Sequence, residues 1–503
     1  MFGEMRVPLP LSLSTKQQCL TLLSLCSSIT QLHQIQAQTH INGLFQDPYV
    51  LSQLIYLSSL SSFANLTHAK TILFHSPTTS SPISWNILIR AYAATDSPLQ
   101  SIWVFRTFRK LGVKPNKLTY PFLFKCCAMA SALSEGKQLH ADVIKFGLDS
   151  DVYVGNNMVN LYGFCKKVKD ARKVFEEMPN RTVVSWNSIM TACVENHWLG
   201  DGIRYFFRMR GCGFEPDHTT MVLMLSACAE LGYLSLGRWV HSQLILRGMV
   251  LSCQLGTALV DMYAKSGNLG CARLVFERME ERNVWTWSAM ILGLAQHGFA
   301  EEALALFAEM CENHSICPNY VTYLGVLCAC SHAGMVNEGY KYLREMEYVH
   351  GIKPMMVHFG AMVDVLGRAG LLKEAYDFIQ RMPIEPDPIV WRTLLSACNV
   401  HDAQDHAGIG DKVRKRLLQM EPRRGGNLVI VANMYAESGM WEKAAKVRRD
   451  MRDGGMKKMA GESCVDLGGS MFKFYAGYDS SQDLMHVYHL LDGLNMHLKM
   501  VDS

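Results

Sequence analysis

Hydrophobic and polar positions along the chain alternate as pairs of short amphipathic segments separated by polar breaks. In residues 183–217, the apolar stretch VSWNSIMTACV is followed by the break ENHWLGD, a second amphipathic stretch and the sequence GCGFEPD. Apolar residues at helical spacing that end at glycine and proline predict two short helices joined by a turn. Two such helices cannot bury their apolar faces alone, whereas stacked copies can, so the pattern predicts an array of helix pairs.

Tryptophan marks the period of this array. Trp85, Trp186 and Trp287 follow one another at a spacing of 101 residues. Three units fit in each period, and the slightly longer third period predicts the next tryptophan at position 391, where Trp391 stands. These observations predict an all-α fold, a right-handed α-solenoid of stacked helix-turn-helix repeats.

Composition agrees with such an array. The chain has 503 residues, of which 49% are hydrophobic and 19% are charged, and it is too long for one ordinary core. Sixteen cysteines are scattered over the chain, and several of them, such as Cys193, Cys228 and Cys398, fall in apolar helical contexts. This distribution favours buried free thiols over disulfides. The sequence contains no run of about 18 apolar residues, so it predicts no membrane-spanning helix.

The repeated motifs VVSWNSIM, ARKVFEEMPNR, LVDMYAKSGNLGCARLVFERM and YVTYLGVLCACSHAGMVNEG resemble those of plant pentatricopeptide repeat proteins. The alternation of three unit types resembles the subclass built from P, L and S repeats. After these units, PIVWRTLLSACNVHDAQDHAG and NLVIVANMYAESGMWEKAAKVRRDM are similar to the paired E repeats of that family. Tetratricopeptide repeats, an alternative of similar length, carry a Trp/Leu/Gly/Tyr signature that this sequence lacks.

The resemblance covers nearly the whole chain and predicts its organisation. Triplets of P, L and S units are expected at 82–182, 183–283 and 284–387, with paired E-type repeats at 388–458. Degenerate N-terminal repeats are expected at 17–81, a leader that resembles a weak transit peptide at 1–16, and a degenerate extension at 459–503. The extension departs from the family at Ala460, where a proline is usual.

Membership of this family implies binding of single-stranded RNA, with one base read per helical repeat. The fifth residue of a unit and its last residue are the implied readers, because Asn, Ser or Thr offers donors and acceptors to a base edge and Asp or Asn orients the contact. The candidate base-reading pairs are Asn86 with Asn116, Asn156 with Thr182, Asn187 with Asp217, Thr257 with Asn283, and Ser288 with Asn319. In the family's code they imply a pyrimidine, a second pyrimidine, uracil, adenine and adenine. The alternative for each is an ordinary solvated or helix-capping side chain.

Four units lack a polar fifth residue. Pro121, Val222 and Leu324 stand there in the L-type units, and Gly360 stands there in the last S-type unit. None of these side chains offers a hydrogen bond to a base. We expect these units to act as spacers.

Net charge is only +4, so phosphate contacts alone would be a poor basis for specificity. The excess is concentrated in residues 401–460, where Lys and Arg outnumber Asp and Glu. This basic region is either a set of solvated helix faces or a contact with RNA or an acidic partner.

No catalytic residue, metal ligand or cofactor is expected in the chain. The zinc deaminase signature H-x-E followed by P-C-x-x-C is absent from the sequence, and Cys328 and Cys330 are one residue apart rather than two. A phosphate loop, an H-E-x-x-H motif and a Gly-rich dinucleotide fingerprint are absent too. We therefore expect a monomeric protein that is not an enzyme and has no membrane contact.

The resemblance implies a site-recognition factor for C-to-U RNA editing. Its partners would be single-stranded organellar RNA and a deaminase-bearing protein or editing-complex accessory proteins, recruited in trans through the C-terminal repeats. The alternatives are a protein-interaction solenoid scaffold, and RNA binding for transcript stability or splicing without editing. The leader has few acidic residues and resembles a transit peptide rather than a secretory signal. Family membership implies an organelle, and we expect the mitochondrion, with the chloroplast as the alternative.

Overall fold

The computed structural model describes residues 14–76, 81–95, 97–312, 316–401, 408–422, 424–456, 462–467 and 470–475. Most of the expected leader, most of the expected extension and Ala460 lie outside the described residues. The chain divides into two compact bodies, Met1–Ala227 and Cys228–Ser503. We call them the N-terminal body and the C-terminal body.

The N-terminal body is built from pairs of α-helices. They are α1 (Thr15–Ser24), α2 (Ile29–Ile41), α3 (Pro48–Leu60), α4 (Leu66–Phe74), α5 (Pro82–Tyr92), α6 (Gln100–Lys110), α7 (Tyr120–Met129), α8 (Leu133–Lys145), α9 (Val152–Phe164), α10 (Val168–Glu177), α11 (Val183–Val194) and α12 (Leu199–Gly211). A short 3-10 turn, Leu44–Gln46, precedes α3. Helix α13 (His218–Leu231) contains the division between the two bodies.

The C-terminal body continues the same pattern. Its helices are α14 (Leu234–Leu246), α15 (Cys253–Lys265), α16 (Leu269–Arg278), α17 (Val284–Gln296), α18 (Ala300–Glu312), α19 (Tyr320–Ala333), α20 (Val336–Tyr348), α21 (Met356–Arg368), α22 (Leu372–Gln380), α23 (Pro388–Val400), α24 (Ile409–Met420), α25 (Gly425–Glu437) and α26 (Trp441–Asp453). Within each body, first helices typically pack on their own second helix and on the first helix of the next pair, as α9 does on α10 and α11 and α15 does on α16 and α17. The predicted α-solenoid is confirmed.

A β-hairpin follows the last helix and was not expected from the sequence. Strands β1 (Glu462–Leu467) and β2 (Ser470–Tyr475) pair antiparallel, with Glu462 opposite Tyr475 and Leu467 opposite Ser470. In the sequence, two six-residue segments flank a Gly-Gly pair, which is a hairpin signal. Six-residue segments are too short to show helical periodicity, so the apolar pattern of the repeats did not indicate this hairpin.

Helix starts are set by polar caps at the ends of the preceding units. Asn283 Oδ1 accepts hydrogen bonds of 3.0 Å from the backbone N–H groups of Trp285 and Thr286 at the start of α17. Asp387 caps α23 in the same way, through Ile389 and Val390 at 2.9 Å. Such caps satisfy backbone donors that have no partner inside the helix. The last residue of a unit is therefore a structural residue whatever else it does.

The repeated tryptophans connect consecutive triplets. Trp186 lies edge-on to Phe175 of the preceding second helix, with ring centroids 4.9 Å apart. Trp287 does the same to Phe276 at 5.0 Å, and Trp391 to Tyr376 at 6.0 Å. Edge-to-face aromatic pairs add to the stabilisation from apolar burial. The period of tryptophan in the sequence is thus the period of one aromatic contact between triplets.

Glycine allows neighbouring first helices to approach closely. A Cβ at Gly163 of α9 would lie 2.7 Å from the Cβ of Ala192 on α11. The same contact recurs in the C-terminal body, where a Cβ at Gly293 of α17 would lie 2.6 Å from that of Ala264 on α15. Both distances are below van der Waals contact, so a larger residue forces the helices apart.

The cysteines whose side chains the structure describes are free thiols. Cys193, Cys228 and Cys398 are buried, as the sequence predicted. Burial raises the pKa of Cys193 to about 12, so this thiol stays protonated and acts as a small apolar group.

Candidate functional site

The candidate readers lie at two levels of each unit. The fifth residues are on the first turns of first helices, and Asn86, Asn156, Asn187 and Ser288 are buried there. Thr257 is half-buried. The last residues stand just before the following first helix and are half-buried or exposed. This arrangement brings a buried amide or hydroxyl beside a more exposed polar group.

The pair Asn187 and Asp217 is in direct contact. The Asn187 amide Nδ2 donates to both carboxylate oxygens of Asp217, at 3.0 and 3.2 Å. Thr220 completes the group, because its hydroxyl donates to Asn187 Oδ1 at 2.7 Å and its backbone N–H donates to Asp217 at 2.8 Å. The Asn187 amide is therefore held in one orientation.

Electrostatics favour the ionised form of Asp217. Partial burial acts to raise the pKa of this carboxyl, but hydrogen bonds from Thr220 and Asn187 outweigh it and the pKa lies below its usual value. An ionised carboxylate only accepts hydrogen bonds. This position therefore offers an acceptor next to the amide of Asn187.

Asn86 and Asn116 form a similar group in the first triplet. Asn86 Nδ2 donates to Asn116 Oδ1 at 3.1 Å, and the Thr119 hydroxyl donates to Asn86 Oδ1 at 2.8 Å. The backbone N–H of Leu118 also donates to Asn116 Oδ1, at 3.0 Å. Since Asn116 is an amide rather than a carboxylate, it adds donor capacity where Asp217 adds none.

Ser288 and Asn319 are also in contact, at 3.2 Å between Ser288 Oγ and Asn319 Oδ1. Asn319 Oδ1 caps α19 through the backbone N–H groups of Val321 and Thr322. Within the described part of the chain, the buried Nδ2 of Asn319 has no hydrogen-bond partner. A buried unpaired donor costs free energy, which a ligand acceptor would recover.

The other two candidate pairs are not joined directly. Thr257 Oγ1 donates to the backbone oxygen of Cys253 at 2.8 Å and lies 2.6 Å from Thr286 Oγ1, which in turn donates to Asn283 at 3.1 Å. Thr286 therefore links the two residues of this pair, whereas Asn187 reaches Asp217 directly.

Asn156 and Thr182 differ again. Thr182 forms a reciprocal cap with Ser185 at the start of α11. Among the described residues, the buried Oδ1 of Asn156 finds no hydrogen-bond partner. This unit therefore offers an open acceptor rather than a preformed pair.

Hydroxyl residues that bridge the readers were missed by the sequence analysis. The third residue of the following unit supplies this group in Thr119, Thr220, Thr286 and Thr322, all of them fully buried. The signal was present in the sequence as a Ser or Thr three positions after each last residue, including Ser185. The four threonines contact both the capping residue and the candidate reader, whereas Ser185 contacts the capping residue Thr182.

Exposed apolar side chains beside the readers were also missed. The second residue of many units is a large apolar residue, and the members are Ile83, Leu118, Tyr153, Val184, Trp285, Val357 and Ile389. Val184 is 58% exposed and Trp285 is 47% exposed. Because positions two and five are three residues apart, they share one face of the helix. Apolar side chains on that face can flank a flat aromatic ring, as in proteins that stack bases.

The proposed spacer positions present no polar side chain. Pro121 is buried in the first turn of α7, and Val222 and Leu324 are half-buried. A Cβ at Gly360 would make only an ordinary 3.6 Å contact with Val390, so packing does not require glycine there. Spacing by these units remains a prediction.

The basic C-terminal region is largely solvated. Lys443, Lys446, Arg448 and Arg449 of α26 are exposed. In the described chain no helix is long and apolar enough to cross a membrane, and no cluster of three or more His, Cys, Asp or Glu side chains could hold a metal ion.

Comparisons with known proteins find pentatricopeptide repeats along most of the chain and an E motif after them. Residues 83–113, 156–183, 184–214, 257–284, 285–315, 321–348 and 357–385 match the PPR repeat, and residues 405–466 match the E motif. A pentatricopeptide repeat-containing protein of Arabidopsis thaliana is 59% identical over 479 residues, which are 95% of each chain. Another from the same plant, named as chloroplastic/mitochondrial, is 36% identical over 96% of this chain and 78% of its own.

Among solved structures, the pentatricopeptide repeat protein PPR10 in complex with an 18-nucleotide psaJ RNA element is similar. Its TM-score is 0.63 at 14% identity, over 84% of this chain. The chain spans 64% of the length of that solved chain. At this identity the similarity concerns the fold.

Proposed function

Since the chain belongs to the pentatricopeptide repeat family and carries an E motif after its repeats, we propose that it binds single-stranded RNA in a sequence-specific manner. The observation that carries this proposal is the recurring contact between a fifth residue, a last residue and a bridging hydroxyl, seen at Asn187, Asp217 and Thr220. A similar solved protein is in complex with RNA.

Each polar pair faces one base, and the exposed second residues flank it. Bases stack on apolar side chains without regard to sequence, whereas hydrogen bonds to the Watson–Crick edge discriminate between them. In the family's code, the units from residue 183 to 319 then read uracil, any base, adenine and adenine. The core of the bound RNA is U-N-A-A.

Binding of the full chain to short synthetic RNAs tests this function. Asn187→Ala removes the amide that faces the uracil and should reduce the preference for that base by roughly 1–3 kcal/mol. Asn157→Ala is the matched control, because Asn157 is a half-buried asparagine of another first helix whose amide donates to the backbone oxygen of Tyr153. Equal affinity of the wild-type chain for RNAs with and without the core would exclude base reading.

RNA binding by this protein marks a cytidine for C-to-U editing, and another protein supplies the deaminase. The match of residues 405–466 to the E motif supports this role, and helices α23–α26 form the paired repeats that would recruit the deaminase-bearing partner or an accessory protein. The exposed basic face of α26 gives this segment a surface for an acidic partner or for RNA.

Sequencing the transcripts of both organelles from plants that lack the protein tests the editing role. Loss of C-to-U conversion at a site preceded by the core supports it. Unchanged editing with altered transcript ends or retained introns would assign the protein to RNA stability or splicing. We place the protein in the mitochondrion, and a fluorescent fusion of the full chain tests that placement against the chloroplast.

A further inference from the structure

A polar pocket lies where the last S-type unit meets the first E-type repeat. Its volume is about 800 Å³, and helices α19, α21 and α23 line it. Ser331, Asp364, Arg368, Thr393 and His401 contribute polar side chains. None of them belongs to a pair of candidate readers.

The equivalent gap in the first triplet is closed. There the pocket between α9 and α11 has a volume of only about 10 Å³. Asn160 and Phe164 take the places of Asp364 and Arg368, and Asn196 Nδ2 donates to the backbone oxygen of Gly163 at 2.9 Å across the gap.

In the second triplet, His297 Nε2 lies 2.8 Å from the backbone oxygen of Ala264 in the corresponding position. His401 occupies that position in the third triplet, where it lines the open pocket. The third triplet is thus open at a place where a side chain bridges the helices in the other two.

Asp364 and Arg368 form the polar wall of this pocket. Arg368 Nε lies 2.9 Å from Asp364 Oδ2, and the Ser331 hydroxyl donates to the same oxygen at 2.5 Å. The side chains of Asp364 and Arg368 are 37% and 52% exposed. Both contacts use Oδ2, so within the described ranges Oδ1 is left as an acceptor and the two Nη groups of Arg368 are left as donors.

Gly360 leaves the reader position of α21 without a side chain. It stands at the fifth position of the same helix, one turn before Asp364, so the two residues share a helix face. Gly360 has no side chain, and packing does not exclude one. A base aligned with this unit meets no side chain at the fifth position, and Asp364 is the next polar residue along that helix face, about 6 Å further on by the helical rise.

We propose that Asp364 and Arg368 read a cytosine in the bound RNA in place of the missing fifth-position reader. Cytosine presents one donor, N4–H₂, beside two acceptors, N3 and O2. One carboxylate oxygen beside two guanidinium donors is complementary to that edge, and carboxylate acceptance from cytosine N4 is a known mode of base recognition. Ser331 positions the carboxylate through its hydrogen bond.

This inference rests on the proposed function and fixes a register. The L-type unit with Leu324 spans one unread base after the second adenine, and the next unit contains Asp364. The recognised sequence therefore extends from U-N-A-A to U-N-A-A-N-C.

Binding of the full chain to four synthetic RNAs that differ only at the sixth base of U-N-A-A-N-C tests the proposal. We expect the wild-type protein to bind the RNA with cytosine roughly tenfold more tightly than the others. Asp364→Ala and Arg368→Met should each abolish that preference. Asp261→Ala is the matched control, since Asp261 occupies the equivalent place in the preceding S-type unit and pairs with Lys265.

A second series of RNAs, varied at the two adenines, distinguishes a failure of the cytosine assignment from a failure of the proposed function. If the wild-type and variant proteins all select the adenines but show no preference at the sixth base, the pocket does not read a base. A preference for guanine there would overturn the cytosine assignment in favour of a contact of Arg368 alone. If the wild-type protein ignores the adenines as well, the proposed function fails together with this inference. Helical content by circular dichroism, measured for every variant, shows that each is folded.

Discussion

At the residue scale, a substitution can separate the capping role of Asp217 from its proposed role in reading a base. Asp217 accepts hydrogen bonds from the backbone and side chain of Thr220, and it also holds the amide of Asn187. Sequence analysis offered capping and base reading as alternatives. The geometry is compatible with both at once, because one carboxylate has several acceptor sites.

Asp217→Asn tests the reading role without removing the cap. Asparagine caps helices about as well as aspartate, so the stability to urea should change by less than about 1 kcal/mol. The substitution replaces an acceptor-only group by an amide, so the preference for uracil at this unit should fall and that for cytosine should rise. Competition binding with RNAs that differ at this base gives the result. A protein that keeps its uracil preference would show that Asp217 acts only as a cap.

Recoding a second unit tests whether the readers act separately. Thr257→Asn with Asn283→Asp reproduces the side chains of Asn187 and Asp217 beside Thr286, which occupies the place of Thr220. The preference at the first adenine should change to uracil, worth roughly 1–3 kcal/mol, and the other positions should be unaffected. Binding of the wild-type and double-variant proteins to RNAs with adenine or uracil at that base is the test. Equal affinity of the two proteins for the two RNAs would show that these residues do not read the base.

At the element scale, a buried histidine replaces the bridging hydroxyl at the start of α21. His358 Nδ1 accepts from the backbone N–H of Met355 at 3.0 Å, and Nε2 lies 2.7 Å from the backbone oxygen of Tyr320. This arrangement requires a neutral ring with its proton on Nε2. Burial lowers the pKa of His358 below its usual value.

The His358 ring makes stability depend on pH in a defined direction. A histidine with a lowered pKa stabilises the fold fully above its unfolded pKa of about 6.5, and that contribution is lost as the pH falls toward the folded pKa. We expect the unfolding midpoint in urea to fall between about pH 7.5 and about pH 5.5. His358→Thr, which installs the residue found at Thr322, should show a smaller fall. An identical fall in both proteins would exclude this histidine as the cause.

Close approach of first helices gives a test of packing. Gly163→Ala places a Cβ against Ala192 and should cost about 1–3 kcal/mol, more than the gain of up to about 1 kcal/mol in helix propensity. Gly200→Ala is the control, because a Cβ at Gly200 of α12 meets nothing within 4 Å. Urea unfolding should show a lower midpoint for the first variant and an unchanged or higher midpoint for the second. A higher midpoint for Gly163→Ala would contradict the close contact.

At the scale of the whole molecule, each helix pair contacts mainly its neighbours, as α9 does with α7, α10 and α11. Stability is then approximately a sum of units and of interfaces between them. A chain truncated after Asp217 should therefore remain soluble and helical, whereas a protein with one core would collapse at such a cut. Circular dichroism of the fragment checks this, and a mostly unfolded spectrum would count against the repeat architecture.

The sequence alone determined the helical architecture and the period. Both follow from local information: apolar spacing within one unit, and the recurrence of Trp85, Trp186 and Trp287 in the same environment. Each unit buries the same kind of face against the same kind of neighbour, so a pattern visible in one copy holds for the others. The reader positions themselves were implied by the family resemblance, and the repeat period then located them in each unit.

Which polar groups meet depends on the stacking of the helices. Asn187 and Asp217 are thirty residues apart in the chain, and their contact depends on the stacking of α11 beside the start of α13. The same stacking makes Thr286 rather than Asn283 the neighbour of Thr257, and leaves a pocket beside Asp364 where the first triplet is closed. Repeat periodicity specifies which positions are equivalent, but side-chain length and the fit between adjacent helices determine whether equivalent positions touch.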